Sequence, residues 1–248
     1  MALQEELKKQ GDYLFKYRSY LPLILLIFGL WVKFYQEKFI AESIVAEILE
    51  STCIIVGIIG LSIRIITVGY TPKNSSGRNT KQGQVADVLN TTGLYSIVRN
   101  PLYLGNYLMW AAIAMLTGNI WFVLLFSLVF WIYYERIIYA EESFLRQTFG
   151  KTYLEWASKT PAFLPKHFNY KQPNIDFSWK KVLKKEKNGL FALFLLFWVF
   201  ETVGEYAEEG IFVIEEYWLL FGAISTGILY IILKFLKKYT DVLNETDR

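Results

Sequence analysis

Residues 101–134 contain no Asp, Glu, Lys, Arg or His. As one helix this run would be about 50 Å long, well beyond the ~30 Å hydrocarbon core of a bilayer. Thr117-Gly118-Asn119 interrupts it with turn formers, which predicts a tight hairpin of two membrane spans, 101–116 and 120–139. Asn100-Pro101 marks its start. Asn can cap free backbone N–H groups, and Pro loses nothing at the first helical position. Arg99 then lies beside the positive end of a helix dipole, a place suited to a carboxylate or phosphate. Snorkelling to lipid headgroups would also account for it.

Hydrophobic residues make up 54% of the chain and aromatics 18%, so its other apolar blocks must be sorted into core helices and spans. Length and charge spacing make spans of 19–35, 44–68, 189–203 and 217–233, the first flanked by the belt residues Tyr20, Trp31 and Tyr35. The fold class is therefore all-α, a polytopic integral membrane protein with about six transmembrane helices. Several are short for the core, so local thinning or shielding by neighbours is expected. Residues 1–18 form a charged, amphipathic interfacial segment without signal-peptide character. Basic residues alternate with the spans. Lys8, Lys9, Lys16 and Arg18 precede the first, and Lys73, Arg78, Lys81 and Arg99 follow the second. Residues 146–187 and the tail, with Lys234, Lys237, Lys238 and Arg248, are basic as well. The other connections hold Lys38 or acids such as Glu208, Glu209 and Glu215. That alternation places both termini in the cytoplasm. Three regions result: 1–68, an arm and two spans; 69–166, a core; and 167–248, a linker and two further spans.

Four features share the cytoplasmic side. The loop 71–90 is rich in turn formers and could cradle a polar ligand or simply connect. Residues 93–105 read G-L-Y-S-I-V-R-N-P-L-Y-L-G. Glu135, Arg136, Glu141 and Glu142 stand where the fourth span leaves the membrane, and Glu142 could pair with Arg146 at i,i+4. Residues 149–156, F-G-K-T-Y-L-E-W, look like a C-capping glycine and an aromatic surface anchor. A net charge of +3 is too slight to suggest nucleic acid. The single cysteine, Cys53, excludes an internal disulfide or a Cys-based metal cluster, and no metal site is expected.

In this order and spacing, the 93–105 motif, the adjacent glutamates and F-G-x-x-Y-x-x-W resemble the isoprenylcysteine carboxyl methyltransferase and phospholipid methyltransferase family. The resemblance covers roughly residues 69–165. It implies S-adenosylmethionine in a cytoplasm-facing pocket and a lipid substrate reaching it sideways from the membrane. By that resemblance Asp87, Val88, Leu89, Asn90, Tyr95, Asn100, Pro101 and Tyr103 line the cofactor site. Glu141, with Glu142 beside it, would hold ribose hydroxyls or the ammonium group. Arg99 would pair with the cofactor carboxylate or orient its loop, and Arg136 is the nearest candidate for the substrate-side arginine. The family's usual Arg-His-Pro reads Arg99-Asn100-Pro101 here, so no imidazolium is available at that point.

A carboxylate or phosphate oxygen is already a nucleophile at neutral pH, whereas a lipid ammonium must first lose a proton. The only histidine, His167, lies outside the motifs, which favours O-methylation of an anionic lipid. The loop T-P-K-N-S-S-G-R-N-T at 71–80, the Arg99-Asn100-Pro101 variant and the extra C-terminal spans look most like bacterial lipid A phosphate methyltransferases, a resemblance that implies a bacterial inner membrane. Prenylcysteine carboxyl methylation or phosphatidylethanolamine N-methylation is the alternative. Membrane sterol reductases carry a related motif but bind NADPH, and the lysines at 180–187 could meet its 2′-phosphate. A scaffold or transporter would leave the four motifs unexplained.

Overall fold

The computed structural model describes residues 2–17, 20–37, 44–73, 75, 78–80, 83–166, 168–212, 214 and 216–245. Arg18, Ser19, Lys38, Lys81, His167, Glu215 and Arg248, used in the charge and span readings, lie outside them. The architecture is helical: α1 (Leu3–Lys16), α2 (Leu21–Glu37), α3 (Ile44–Gly69), α4 (Pro101–Met115), α5 (Ile120–Lys159), α6 (Trp179–Glu209) and α7 (Tyr217–Tyr239). A two-stranded antiparallel ribbon, β1 (Arg78–Thr80) with β2 (Gly83–Val85), sits in the loop after α3. The six apolar blocks correspond to α2 through α7. Four helices are long and apolar enough to cross a membrane, over Ile48–Gly69, Ile120–Lys159, Trp179–Glu209 and Tyr217–Tyr239. The apolar part of α2, Pro22–Gln36, is shorter. At 15 residues, α4 spans only about 22 Å. It is sheltered by packing between α3 and α5 rather than by its own length.

The chain turns between α4 and α5 where Asn119 caps α5 through its side chain, accepting from the Phe122 N–H at 3.0 Å. Gly118 takes a positive φ of 64° in that turn. One buried cluster joins α1, α4 and α5 through Phe15, Ala111, Ala114, Phe126 and Ile137. Another joins α3, α4, α6 and α7 through Cys53, Ala112, Phe197 and Leu219. Thus α4 is the common wall of both. Its closest approach is to α3, where a Cβ on Gly105 would lie 2.7 Å from the Gly60 carbonyl oxygen and 2.6 Å from Arg64 Cγ. No larger residue fits there without moving a backbone. On the far side of α5, α1 lies across Arg136 and Ala140 at Gly11, and the Tyr133 hydroxyl donates to the Leu14 carbonyl at 3.0 Å.

Candidate functional site

A cavity of about 990 Å³ opens at the end of the bundle that carries the 71–100 loop and the Gly150 bend. Its walls come from all seven helices, the loop before α4 and the tail after α7, so the C-terminal helices are part of its enclosure.

Asn100 takes the N-cap position of α4 and Pro101 its first turn, as the sequence suggests. The Asn100 side chain, however, makes no cap. Its amide Nδ2 donates 3.0 Å to the Ala162 carbonyl, tying the start of α4 to the segment after α5. The atom that would cap, Oδ1, makes no hydrogen bond to the helix N–H groups, and the side chain is instead oriented by the Nδ2 bond to Ala162. Arg99 is similarly committed. Its Nε and Nη2 donate to the two Glu142 carboxylate oxygens at 2.8 and 3.1 Å. Its Nη1 donates to the Ala157 and Thr160 carbonyls at 3.0 and 2.6 Å. Here Glu142 pairs with Arg99, forty-three residues back, across the helix interface rather than along its own helix. The fork of the guanidinium holds the motif loop against both sides of the Gly150 bend.

Gly150 does not end α5. Its backbone adopts φ 53°, ψ −123°, the helix bends, and it resumes to Lys159. The bend turns Tyr153 and Trp156 inward rather than toward the membrane surface. The Trp156 Nε1 donates 3.2 Å to the Tyr95 carbonyl. Tyr153 is 1% exposed and lines the cavity. Among the described residues its hydroxyl meets no partner at full hydrogen-bond geometry, but it lies against the Glu142 carboxylate, whose charge and hydrogen-bonding help to hold the proton on it. Burial, reinforced by that carboxylate, pushes the phenol above its ordinary range. The group is therefore a protonated donor at any physiological pH.

Of the residues expected at a cofactor site, Leu89, Asn90, Tyr95, Asn100, Tyr103, Glu141 and Glu142 all reach the cavity wall, as does Arg99. Asn90 is buried, and its side-chain oxygen accepts from the Thr92 backbone N–H at 3.2 Å, an Asx turn that shapes the loop. Three do not reach it. Asp87 and Val88 face outward, because the extended segment turns in only at Leu89. Pro101 is fully buried in packing. Arg136 lies elsewhere too, donating to Glu135 at 3.2 Å and Gln10 at 3.2 Å beside α1. The reason is rotational. Tyr134, Glu141 and Leu145 form the cavity stripe of α5, and Arg136, two residues past Tyr134, is turned to the opposite face.

The cavity also contains residues that the motifs did not single out. Arg64, near the end of α3, donates through Nε and Nη2 to both Glu186 carboxylate oxygens at 2.7 and 2.8 Å. Its remaining nitrogen donates to the Asn106 side-chain oxygen. The Glu186 side chain is 4% exposed, so this ion pair is a buried link between the core and α6. Lys181 donates to the Thr71 and Pro72 carbonyls, fixing the start of the loop. Lys184 and Lys237 also line the cavity. An arginine within an apolar helix is the one signal that could have flagged Arg64, since such a charge requires a partner.

Residues 52–152 match the family model for phospholipid methyltransferase. That match covers less than half of the chain and marks a likeness of its central segment to that family. Protein-S-isoprenylcysteine O-methyltransferase of Schizosaccharomyces pombe is 38% identical over 78 residues, 32% of this chain and 33% of its own. Protein-S-isoprenylcysteine O-methyltransferase A of Arabidopsis thaliana is 29% identical over 150 residues, covering 59% of this chain and 68% of its own. The cobalt-zinc-cadmium resistance protein CzcN of Cupriavidus metallidurans is 30% identical over 110 residues, 44% and 48% of the two chains. The chain spans between a third and about half the length of the first curated relatives it matches. No solved structure matches it. The matched family segment ends just past the Gly150 bend, so α6, α7 and their lysines lie beyond it.

Proposed function

We propose that this protein is an S-adenosylmethionine-dependent methyltransferase that O-methylates an anionic group on a membrane lipid, such as a lipid A phosphate. The observation that carries the reading is one cavity that unites the family segment's Glu141, Asn90, Tyr95 and Asn100 with apolar walls on α4 and α6. The cavity fits such a cofactor. Its volume is at the upper end of the roughly 300–1,000 Å³ typical of ligand pockets, and Tyr153 offers it a buried hydroxyl donor with no well-aligned protein acceptor. S-adenosylmethionine, when bound, supplies a methyl carbon already activated by sulfonium charge. What this chain must do is align and desolvate, not abstract a proton. Glu141 would hold the cofactor's ammonium or ribose hydroxyls. Tyr153 would donate to one of its acceptors. The Arg99–Glu142 pair would keep the loop wall in place. Leu193, Leu196 and Trp110 would exclude water beside the lipid.

Carboxyl methylation of a prenylcysteine is the second reading, favoured by the names of the relatives. The basic loops gathered at the cavity end support placing it, and both termini, in the cytoplasm, in a bacterial inner membrane. Reporters fused at residues 118 or 210 should then report outside, and those at 80 or 175 inside.

The deciding experiment titrates purified protein with S-adenosylmethionine and, separately, NADPH. Binding of the first is expected. Glu141→Gln should weaken it roughly 10- to 150-fold, the value of one charge-assisted hydrogen bond, without changing thermal stability. Saturable binding of NADPH without S-adenosylmethionine would overturn the proposal in favour of a reductase.

A further inference from the structure

The cavity is chemically two-sided. On the α5 side it presents Glu141, and Glu142 bound to Arg99. On the α6–α7 side it presents Lys184, Lys185 and Lys237. Of the acids on that side, Glu186 is neutralised by Arg64, while Glu245 accepts from the neutral Ser178 hydroxyl at 2.5 Å and keeps its charge, one negative group against three lysines. Lys184 donates to the Asn244 side-chain oxygen at 2.6 Å, a neutral partner that leaves its charge uncompensated. Among the described residues neither Lys184 nor Lys237 belongs to an ion pair, and both stand close enough to Lys187 to repel it. Like charges gathered at a cavity mouth are unfavourable unless an anion joins them.

A sulfonium cofactor does not answer to that charge. With a sulfonium, an ammonium and one carboxylate, it is a net cation. A ligand with several negative oxygens does. Below the lysines the wall turns apolar through Ala192, Leu193 and Leu196 on the same helix, so the ligand that fits has an anionic head and a hydrocarbon tail. A prenylcysteine offers a single carboxylate, which one lysine would match.

We infer that Lys184, Lys185 and Lys237 form a headgroup subsite, supplied by the C-terminal helices, that selects lipids bearing a phosphate monoester or comparable multiple negative charge. The inference rests on the methyltransferase reading for its purpose but not for its measurement. Arg64–Glu186 acts as the hinge pin of this subsite. It fixes α6 to the core one residue from Lys185 and, through Asn106, to the wall of α4.

The test uses full-length protein in a nonionic detergent, with dihexanoyl phosphatidic acid, dihexanoyl phosphatidylcholine and inorganic phosphate as probes in calorimetric titrations. Phosphatidic acid should bind saturably and more tightly than either control. The triple variant Lys184→Gln/Lys185→Gln/Lys237→Gln should lose about tenfold or more of that affinity, since it loses charge-assisted hydrogen bonds. The triple arginine variant should retain it. S-adenosylmethionine affinity should be the same in wild type and in the glutamine variant, and thermal unfolding confirms that each variant is folded. Equal affinity of wild type and folded glutamine variant for phosphatidic acid would overturn the subsite. Equal binding of phosphatidylcholine would overturn its charge selectivity. Inorganic phosphate binding as tightly as the lipid would overturn the lipid assignment. Failure of S-adenosylmethionine to bind, with phosphatidic acid binding as expected, would sink the methyltransferase reading and leave the subsite standing.

Discussion

The Arg99–Glu142 pair allows a quantitative test of how the motif loop is held. Arg99→Met removes one guanidinium that makes a two-pronged ion pair and two carbonyl contacts. Breaking a fully buried pair costs about 3–5 kcal/mol, and an exposed one about 0–1. The side chains here are 17% and 25% exposed, between those limits but nearer the buried one. A loss of about 2–3 kcal/mol is therefore expected for Arg99→Met, because it strands a half-buried carboxylate and two carbonyls. Glu142→Gln keeps the shape and one acceptor and should cost about 1 kcal/mol. In the double variant no charge is stranded, so its loss should fall short of the sum by about 1 kcal/mol or more. The assay is unfolding in mixed micelles followed by tryptophan fluorescence, with all four proteins in the same detergent. If the two losses simply add, to within about 0.5 kcal/mol, Arg99 is not energetically coupled to Glu142 and the loop is held by something else.

Gly105→Ala should lower stability by about 1–3 kcal/mol in the same assay, because its Cβ would collide with the Gly60 carbonyl and with Arg64 Cγ. Unchanged unfolding would mean that α3 and α4 do not approach as closely as described. Tyr153→Phe should change neutral-pH stability by no more than about 1 kcal/mol, since the hydroxyl has no well-aligned protein acceptor, yet weaken S-adenosylmethionine binding; a large stability loss with unchanged binding would refute its role as a donor to ligand. The raised phenol pKa adds a sign. The folded state retains this proton above the ordinary value of about 10, where the unfolded chain releases it, so stability should fall as pH rises past that point. Tyr153→Phe should flatten this alkaline decline relative to wild type. Asn100→Asp exchanges a donor for a charged acceptor facing the Ala162 carbonyl and should cost about 1–2 kcal/mol. Asn100→His can still donate and should lose less; equal losses would show that the Ala162 bond does not matter.

What the sequence determined by itself is what depends on neighbours a few residues apart. Apolar length and charge spacing specified the apolar helices, and Thr117-Gly118-Asn119 the hairpin between two of them. Pro101 marked the first turn of α4, and a motif of local spacing marked the family segment. Side-chain partners were a different matter. Arg99 to Glu142, Arg64 to Glu186 and Asn100 to Ala162 join residues 43, 122 and 62 apart. Each depends on how far a helix is rotated about its own axis. In a soluble protein an apolar stripe gives that rotation, because one face must leave water. In a bilayer the lipid-facing surface is as apolar as the core, so the stripe vanishes from the sequence. That is why Arg136 looked as suitable as Glu141 in the chain yet is turned toward α1, away from the cavity. It is also why Tyr153, written as a surface anchor, is carried inside by the Gly150 bend. Only the packing of α6 and α7 against the core brings the lysines of the last third to the mouth of the cavity shaped by the middle third.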